Sequence, residues 1–238
     1  MSAKVAIVDI RIPEEQLRAL MARGFRVVAM PPCPTLSSPV ASHPDMLLAR
    51  VGGEMVTTAA YCELAGAEIS EIFDITRAKL HFTSDEHGES YPADVIFNSL
   101  VMGDKLFARL DTLSPYLVRL AEEKGLKLVN VRQGYPACTV LKLSDEAAIT
   151  ADGGMAEALS RAGVRVYTIE NGGIILPPYE YGFIGGAGGS LGDTVYFLGD
   201  VKTHPSWDVI EDALKKEGLR AVMLGRGSLF DLGGIIFA

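Results

Sequence analysis

The chain has 238 residues, of which 48% are hydrophobic, and its net charge is −8. An acidic chain without a basic stripe argues against a nucleic-acid partner, because such binding neutralises phosphates with Lys and Arg. No apolar run reaches the roughly 20 residues that a membrane-spanning helix needs, so the composition is typical of a globular core.

Strands and helices alternate along the chain in a recurring order. At the N-terminus, KVAIVDI (4–10) predicts a strand, PEEQLRALMARG (13–24) a helix and FRVVAM (25–30) another strand. Later helices share boundaries made of a Ser, Asp or Pro at the start and a Gly at the end: 114–125, 152–163 and 204–218. Ser and Asp cap free N–H groups, Pro tolerates the loss of one, and Gly adopts the left-handed conformation that ends a helix.

Pairs of strands joined by tight turns precede these helices. The turns fall at Gly52-Gly53, Gly103-Asp104, Ser144-Asp145 and Gly192-Asp193, and Gly and Asp are typical of hairpins. The repeating unit is therefore strand, turn, strand, helix, strand. Four such units cover about 42–84 (with its helix somewhere in 58–75), 90–131, 136–169 and 179–224.

The two chain ends supply the parts of a fifth unit. GSLFDLGGIIFA at the C-terminus predicts a first strand without a partner, so 226–238 and 4–30 together complete a unit. The sequence thus predicts one α/β domain over residues 1–238, in which five pseudo-symmetric β-β-α-β units form a five-bladed propeller closed by pairing of the N- and C-terminal strands. Closure would remove free sheet edges at the joint. The alternative is an open α/β sandwich with coincidental periodicity.

Four motifs support a resemblance to a known fold family: SHPDM (42–46), GYPACTV (134–140), YGFIGGAGG (181–189) and FDLGGI (230–235). Together with the unit order, they resemble the penteins, the fold of guanidino-group-modifying enzymes, and within it a bacterial family. The resemblance implies hydrolase or amidinotransferase chemistry on C–N bonds if the chain is an enzyme. Catalytic penteins carry a Cys on the last unit, whereas GRGSLFDLGGI has none.

Superposing the predicted units brings the starts of their first strands together near the ring axis. His43 and Cys138 are the candidate catalytic residues, because a thiolate beside a histidine can attack an amidine or acyl carbon. The candidate ligand-binding residues include carboxylates suited to a guanidinium or ammonium group. They are Asp45, Asp94, Phe183, Gly185, Gly186 and Asp231.

Each of these residues also has a structural interpretation. Cys138 can be a small buried hydrophobe, the aspartates can cap turns, and the glycines can simply let strands crowd at the axis. His87, in the polar segment DEHGES, is expected to be exposed. His43-x-Asp45 supplies only two metal ligands, so neither a metal nor a cofactor is predicted.

Two functional hypotheses remain open at this point. One is an enzyme or binding protein for a small cationic or guanidino-type molecule in the axial pocket. The other is a noncatalytic pentein that acts through protein–protein contacts, like the ribosome anti-association factor. An odd number of cysteines (three) and the absence of signal-peptide features predict a reducing cytoplasm, and the sequence is compatible with a homo-oligomer.

Overall fold

The chain has a mixed α/β architecture, as the sequence predicts. A computed structural model describes residues 4–238; residues 1–3, included in the predicted domain, lie outside the described residues. The helices are α1 Glu14–Met21, α2 Pro44–Leu47, α3 Ala59–Leu64, α4 Gly66–Thr76, α5 Pro115–Glu123, α6 Pro136–Thr139, α7 Gly153–Arg161 and α8 Trp207–Lys216. No helix within 4–238 combines the length and apolar character needed to cross a bilayer.

The strands are short, from two to six residues. They are β1 Lys4–Asp9, β2 Phe25–Met30, β3 Ala49–Val51, β4 Glu54–Thr58, β5 Leu80–Thr83, β6 Leu100–Met102, β7 Lys105–Ala108, β8 Lys127–Asn130, β9 Val140–Lys142, β10 Ala147–Thr150, β11 Arg165–Thr168, β12 Ile174–Ile175, β13 Gly188–Leu191, β14 Thr194–Phe197, β15 Arg220–Met223, β16 Leu229–Phe230 and β17 Ile236–Phe237.

Three-stranded sheets with one common pairing pattern organise these strands. In each, a first strand pairs antiparallel with a second, and the second pairs parallel with a third across an intervening helix. Their strand orders are β17-β1-β2, β3-β4-β5, β6-β7-β8, β9-β10-β11 and β13-β14-β15. The first of these joins the two ends of the chain, with Ile7 opposite Ile236. A two-stranded parallel pair, β12-β16, accompanies them.

Local sequence signals explain where the helices begin. The Ser114 hydroxyl accepts a hydrogen bond from the N–H of Leu117, and Pro115 opens α5. The Asp152 carboxylate accepts one from the N–H of Met155 at the start of α7. These caps satisfy backbone donors that a helix leaves free. The buried faces of α5 and α7 then pack against apolar strand residues such as Leu106 and Ala148.

The predicted first strands are wrong at their starts. The segments DMLLARV (45–51), TVLKL (139–143) and GFIGGAGGSL (182–191) predict extended chain. The one-turn helix Pro44–Leu47 and the 3₁₀ turn Gly185–Ala187 replace part of the first and the last of them, and the one-turn helix Pro136–Thr139 takes the first residue of the other. Pro44 and Pro136 occupy the first helical position, where proline's fixed φ and missing N–H are compatible with a helix. The residues that precede β3, β9 and β13 therefore form helical turns instead of extending.

Two further predicted elements are divided. The helix expected within 58–75 is interrupted at Ala65, and Gly66, a poor helix former, begins the second piece. The C-terminal strand is also split, because Gly233 and Gly234 have positive φ angles of 68° and 74° that an extended strand cannot include. The intervening segment 231–235 carries one of the predicted site residues, Asp231.

Candidate functional site

Cys138 lies in a buried cluster of polar side chains between two one-turn helices. Its Sγ donates a hydrogen bond to Oδ2 of Asp45 at 2.6 Å. The Asn98 side-chain amide donates to Cys138 Sγ at 3.2 Å, and its oxygen accepts from the N–H of Ala137 at 2.8 Å. His43, at the start of the other short helix, completes the cluster: one donor atom each from His43, Asp45 and Cys138 lies within 4.8 Å of the others. The structure thus brings together the predicted pair His43 and Cys138.

His43 lies between two carboxylates. Its Nε2 is 3.9 Å from Asp9 Oδ2, and its Nδ1 is 3.9 Å from Asp231 Oδ1. The ring is 1% exposed, and neither nitrogen has a hydrogen-bond partner. A small movement of the ring toward either carboxylate would therefore select which nitrogen carries the proton.

Asp9 and Arg11 are parts of the site that the sequence interpretation missed. Both carboxylate oxygens of Asp9 accept hydrogen bonds from the Arg11 guanidinium, at 2.9 Å from Nε and 2.5 Å from Nη2. The same guanidinium donates to the carbonyl oxygens of Ser38 and Pro39. Arg11 therefore compensates the buried charge of Asp9 and ties the segment before His43 to the end of β1.

Burial shifts the protonation of this cluster toward neutral forms. It lowers the pKa of His43 to about 4, with Asp9 opposing the shift. It raises the pKa of Asp45 to about 7 and that of Asp231 to about 6, and it raises the pKa of the Cys138 thiol well above its usual value. Desolvation penalises each charged form, so the resting cluster holds a neutral imidazole and a protonated thiol near pH 7.

Replacing Asp45 by asparagine should make stability less sensitive to pH. Between the ordinary aspartate pKa near 4 and about 7, native Asp45 holds a proton that the unfolded chain releases, so native stability falls as pH rises through that window. Asp45→Asn abolishes this dependence. The unfolding free energy of the variant relative to wild type should therefore rise by about 2–3 kcal/mol from pH 5 to pH 8.

Urea unfolding in metal-free buffer at both pH values measures this difference. Asp74→Asn is the control, because the Asp74 side chain is 70% exposed on α4. A difference between Asp45→Asn and wild type that stays constant with pH would contradict a raised Asp45 pKa.

Glycines allow close packing around Asp231. Its carboxylate accepts hydrogen bonds from the N–H groups of Phe183 at 2.8 Å and Gly233 at 3.1 Å. A Cβ on Gly186 would lie 1.9 Å from Asp231 Oδ1, and a Cβ on Gly185 would lie 2.3 Å from the carbonyl oxygen of Ala137. Protein atoms occupy these spaces, which favours the strand-crowding interpretation of both glycines.

Asp94 contacts a different set of side chains from Asp45. Its Oδ2 accepts a hydrogen bond from the Tyr135 hydroxyl at 2.8 Å, and its backbone oxygen lies 3.2 Å from His87 Nδ1. The expectation that His87 is exposed is wrong, since only 7% of it is accessible; its ring packs edge-on against Phe97 in the interior. In this unit Asn98, four residues after Asp94, contacts the Cys138 cluster, and a ligand role for Asp94 stays a prediction.

A cavity of about 490 Å³ adjoins this cluster at Asp45. The first strand of every three-stranded sheet contributes to its wall: Arg50, Leu100, Lys142, Ser190 and Phe237. Hairpin residues Gly52 and Gly53 line it after β3, whereas Asp45 lines it before β3, so the strand runs along the cavity. The volume lies in the range of small-molecule sites.

Comparisons with known proteins identify the family and the fold. The model of the family described as "Family of unknown function (DUF6873)" matches residues 7–236. The chain belongs to this family. A search of curated proteins finds no match.

Three of the solved structures similar to this chain are enzymes with low sequence identity to it. An amidinotransferase of the saxitoxin biosynthetic pathway from Microseira wollei has a TM-score of 0.57 at 11% identity, over 93% of this chain and 88% of that one. Dimethylarginine dimethylaminohydrolase from Pseudomonas aeruginosa, complexed with citrulline, has a TM-score of 0.53 at 12% identity, over 92% and 90%. Agmatine deiminase from C. jejuni has a TM-score of 0.53 at 10% identity, over 93% and 75%. The predicted pentein fold is confirmed.

Proposed function

We propose that the protein binds a small molecule with a guanidinium or related cationic group in the cavity beside Asp45. The observation that carries this proposal is the incomplete hydrogen bonding of the Asp45 carboxylate. Its Oδ2 accepts a hydrogen bond from the Cys138 thiol, but its Oδ1 is buried and has no hydrogen-bond partner. A buried acceptor without a donor is costly, and a guanidinium supplies two parallel N–H donors together with a positive charge.

The neighbouring side chains suit chemistry on such a ligand. A cation beside Asp45 would offset the burial that raises the pKa of Cys138 and so favour the thiolate. Neutral His43 is then available to accept the thiol proton while the sulfur attacks the amidine carbon. The protonated His43 returns that proton to the leaving nitrogen as the C–N bond breaks, which leaves a thioether-linked amidine on Cys138. The names of the similar structures, which include a dimethylarginine hydrolase and an agmatine deiminase, point to substrates of the same chemical class.

The cavity wall also suggests what the other end of the ligand carries. Arg50 and Lys142 line the cavity along the strands that lead away from Asp45. Lys142 Nζ already bonds the Asp145 carboxylate at 2.6 Å and the carbonyl oxygen of Val101 at 2.8 Å. Arg50 donates to the carbonyl oxygen of Phe237 and forms no ion pair within residues 4–238. The Arg50 cation suits a ligand carboxylate, so a guanidino acid fits better than a guanidino amine.

Closure of the sheets into one five-bladed propeller is part of the same proposal, because the cavity would then be its axis and residues 1–238 one domain. Contacts between neighbouring first strands support it. Ser190 Oγ donates a hydrogen bond to the carbonyl oxygen of Lys142, and the N–H of Ile235 donates one to the carbonyl oxygen of Gly188. The Arg50–Phe237 contact joins the C-terminal strand to the next sheet.

The noncatalytic alternative is a protein that acts through contacts on its outer surface. It predicts a ring axis without solvent, where every carboxylate has hydrogen-bond partners within the protein. The unpartnered Oδ1 of Asp45 at the edge of a 490 Å³ cavity favours a ligand instead.

A thermal-shift experiment with matched compounds tests the proposal. Arginine is compared with citrulline, which replaces the guanidinium by a neutral ureido group, and with agmatine, which lacks the carboxylate. At about 100 times its Kd a ligand stabilises the native state by about 2.7 kcal/mol, which corresponds to roughly 5–10 °C for a chain of this size. We expect the largest shift from arginine-like guanidino acids and a smaller one from agmatine.

Variants show whether the shift arises at this site. Asp45→Asn should remove the thermal shift, and Asp74→Asn should behave as wild type. Cys138→Ser should retain the thermal shift but suppress any covalent adduct seen by mass spectrometry. Equal shifts from arginine and citrulline, or from wild type and Asp45→Asn, would refute the proposal.

A further inference from the structure

Three buried side chains of the types that bind zinc face one another in this protein. His43, Asp45 and Cys138 each offer one donor atom, and those atoms lie within 4.8 Å of one another. We propose that these three residues bind a Zn²⁺ ion. Zinc holds nitrogen, oxygen and sulfur ligands at about 2.0–2.3 Å in a tetrahedron, which puts ligand atoms roughly 3–4 Å apart. The donor atoms therefore need to move by about 1 Å or less to surround an ion.

Buried polar atoms without hydrogen-bond partners in the cluster favour a bound ion. Nδ1 and Nε2 of His43 and Oδ1 of Asp45 are buried without hydrogen-bond partners. His43 is 1% exposed and Asp45 is 8% exposed, so water does not compensate these atoms at the surface. Buried polar atoms are rarely left unpaired, and a metal ion would satisfy one nitrogen of the imidazole and the free carboxylate oxygen together.

The surrounding residues form the outer partners that metal ligands require. Asn98 donates to Cys138 Sγ at 3.2 Å, which would stabilise a bound thiolate. A carboxylate stands 3.9 Å from each nitrogen of His43, Asp9 on one side and Asp231 on the other. Whichever nitrogen binds the metal, the other can donate to a carboxylate, and this arrangement fixes the tautomer of histidine ligands.

Charge and access are also compatible with a divalent ion. One thiolate and one carboxylate balance the charge of Zn²⁺, so the ion and its ligands carry no net charge. The ion displaces the Cys138 proton, and that of Asp45 where it is protonated, into solvent. Asp45 lines the 490 Å³ cavity, which gives an entry path and leaves the fourth coordination position open to a water or a ligand.

The zinc site and the proposed guanidino site share Asp45 and Cys138. One sulfur cannot be a zinc ligand and a free nucleophile at once, so the two proposals are alternative uses of the same cluster. A protein that binds zinc but no guanidino compound, or the reverse, would separate the two. The sequence indicates only His43-x-Asp45; the third ligand lies in another unit and becomes visible only in three dimensions.

Cobalt provides the test, because Co²⁺ replaces zinc in tetrahedral sites and reports its ligands by absorption. The full-length, reduced protein is stripped of metal with a chelator and titrated with Co²⁺, then with Zn²⁺. We expect one equivalent of Co²⁺, a thiolate-to-cobalt charge-transfer band, intense tetrahedral d–d bands, and complete displacement by Zn²⁺.

Variants assign the ligands. Cys138→Ser should lose the charge-transfer band, whereas Cys33→Ser and Cys62→Ser, which alter the other two cysteines, should keep it. Asn98→Ala should weaken metal binding by about 10–100-fold. Absence of the band in the wild-type protein overturns the proposal whether or not the variants fold, and so does a band that survives in Cys138→Ser or depends on Cys62.

Discussion

Removal of residues 231–238 is expected to abolish cooperative folding and all ligand binding. The segment contains β17, which pairs with β1, and backbone hydrogen bonds join Val5 and Ala238 in both directions at 2.9 and 3.0 Å. Phe237 packs against Phe25 and Tyr196 with ring centroids 5.1 and 5.0 Å apart. Loss of one buried phenylalanine costs about 3–5 kcal/mol. Loss of the whole segment should therefore reduce the unfolding free energy by more than the 5–15 kcal/mol that stabilises a typical domain.

Size-exclusion chromatography and urea unfolding of the truncated chain measure this outcome. Phe237→Ala is a milder version, expected to remain folded but less stable by about 3–5 kcal/mol. Val209→Ala, at a position on α8 that is 39% exposed, is its surface control. A truncated chain that remains a stable, cooperatively unfolding monomer would contradict closure through the chain ends.

Helix boundaries could be predicted from sequence because their signals are local. Ser114 and Pro115 define the start of α5 without reference to the rest of the chain. The starts of the first strands could not be predicted in the same way, since an apolar segment near a proline is compatible with either an extended strand or a helical turn. Pro136 is the one local feature that indicates the helical turn Pro136–Thr139, because proline is favoured at the first position of a helix.

The candidate site was predictable to the extent that the repeat aligns equivalent positions. His43, Asp45 and Cys138 lie in the short segments before two first strands, β3 and β9, and the structure brings them together. The repeat did not predict Asp9 as a site residue, because Asp9 ends a second strand, β1, and so occupies a different position in its unit. Asn98 was not predicted either, because the chain before β6 forms turns instead of a strand. The turns change which side chain of this unit reaches the cluster.

Gly233 connects closure of the chain to the geometry of the site. Its φ is +68°, and a Cβ there would lie 2.4 Å from Cβ and 2.7 Å from Cα of His43. The neighbouring Asp231 bonds the N–H of Gly233 at 3.1 Å. The C-terminal segment therefore packs directly on the backbone of the site histidine, with no room for any side chain.

Gly233→Ala is accordingly expected to reduce the unfolding free energy by about 2–5 kcal/mol, from about 1–2 for the left-handed backbone and about 1–3 for the steric overlap. Gly218→Ala is a matched control: its φ is +67°, and a Cβ there meets nothing within 4 Å, so only the backbone cost of about 1–2 kcal/mol applies. Urea unfolding followed by circular dichroism gives both values. Equal losses of unfolding free energy in the two variants would mean that His43 moves at no cost to make room for the added methyl group. His43 would then not be held rigidly between Asp9 and Asp231. A larger loss at Gly233, together with weaker binding of whichever ligand the cluster takes, would mean that the last residues of the chain set the position of the catalytic candidate.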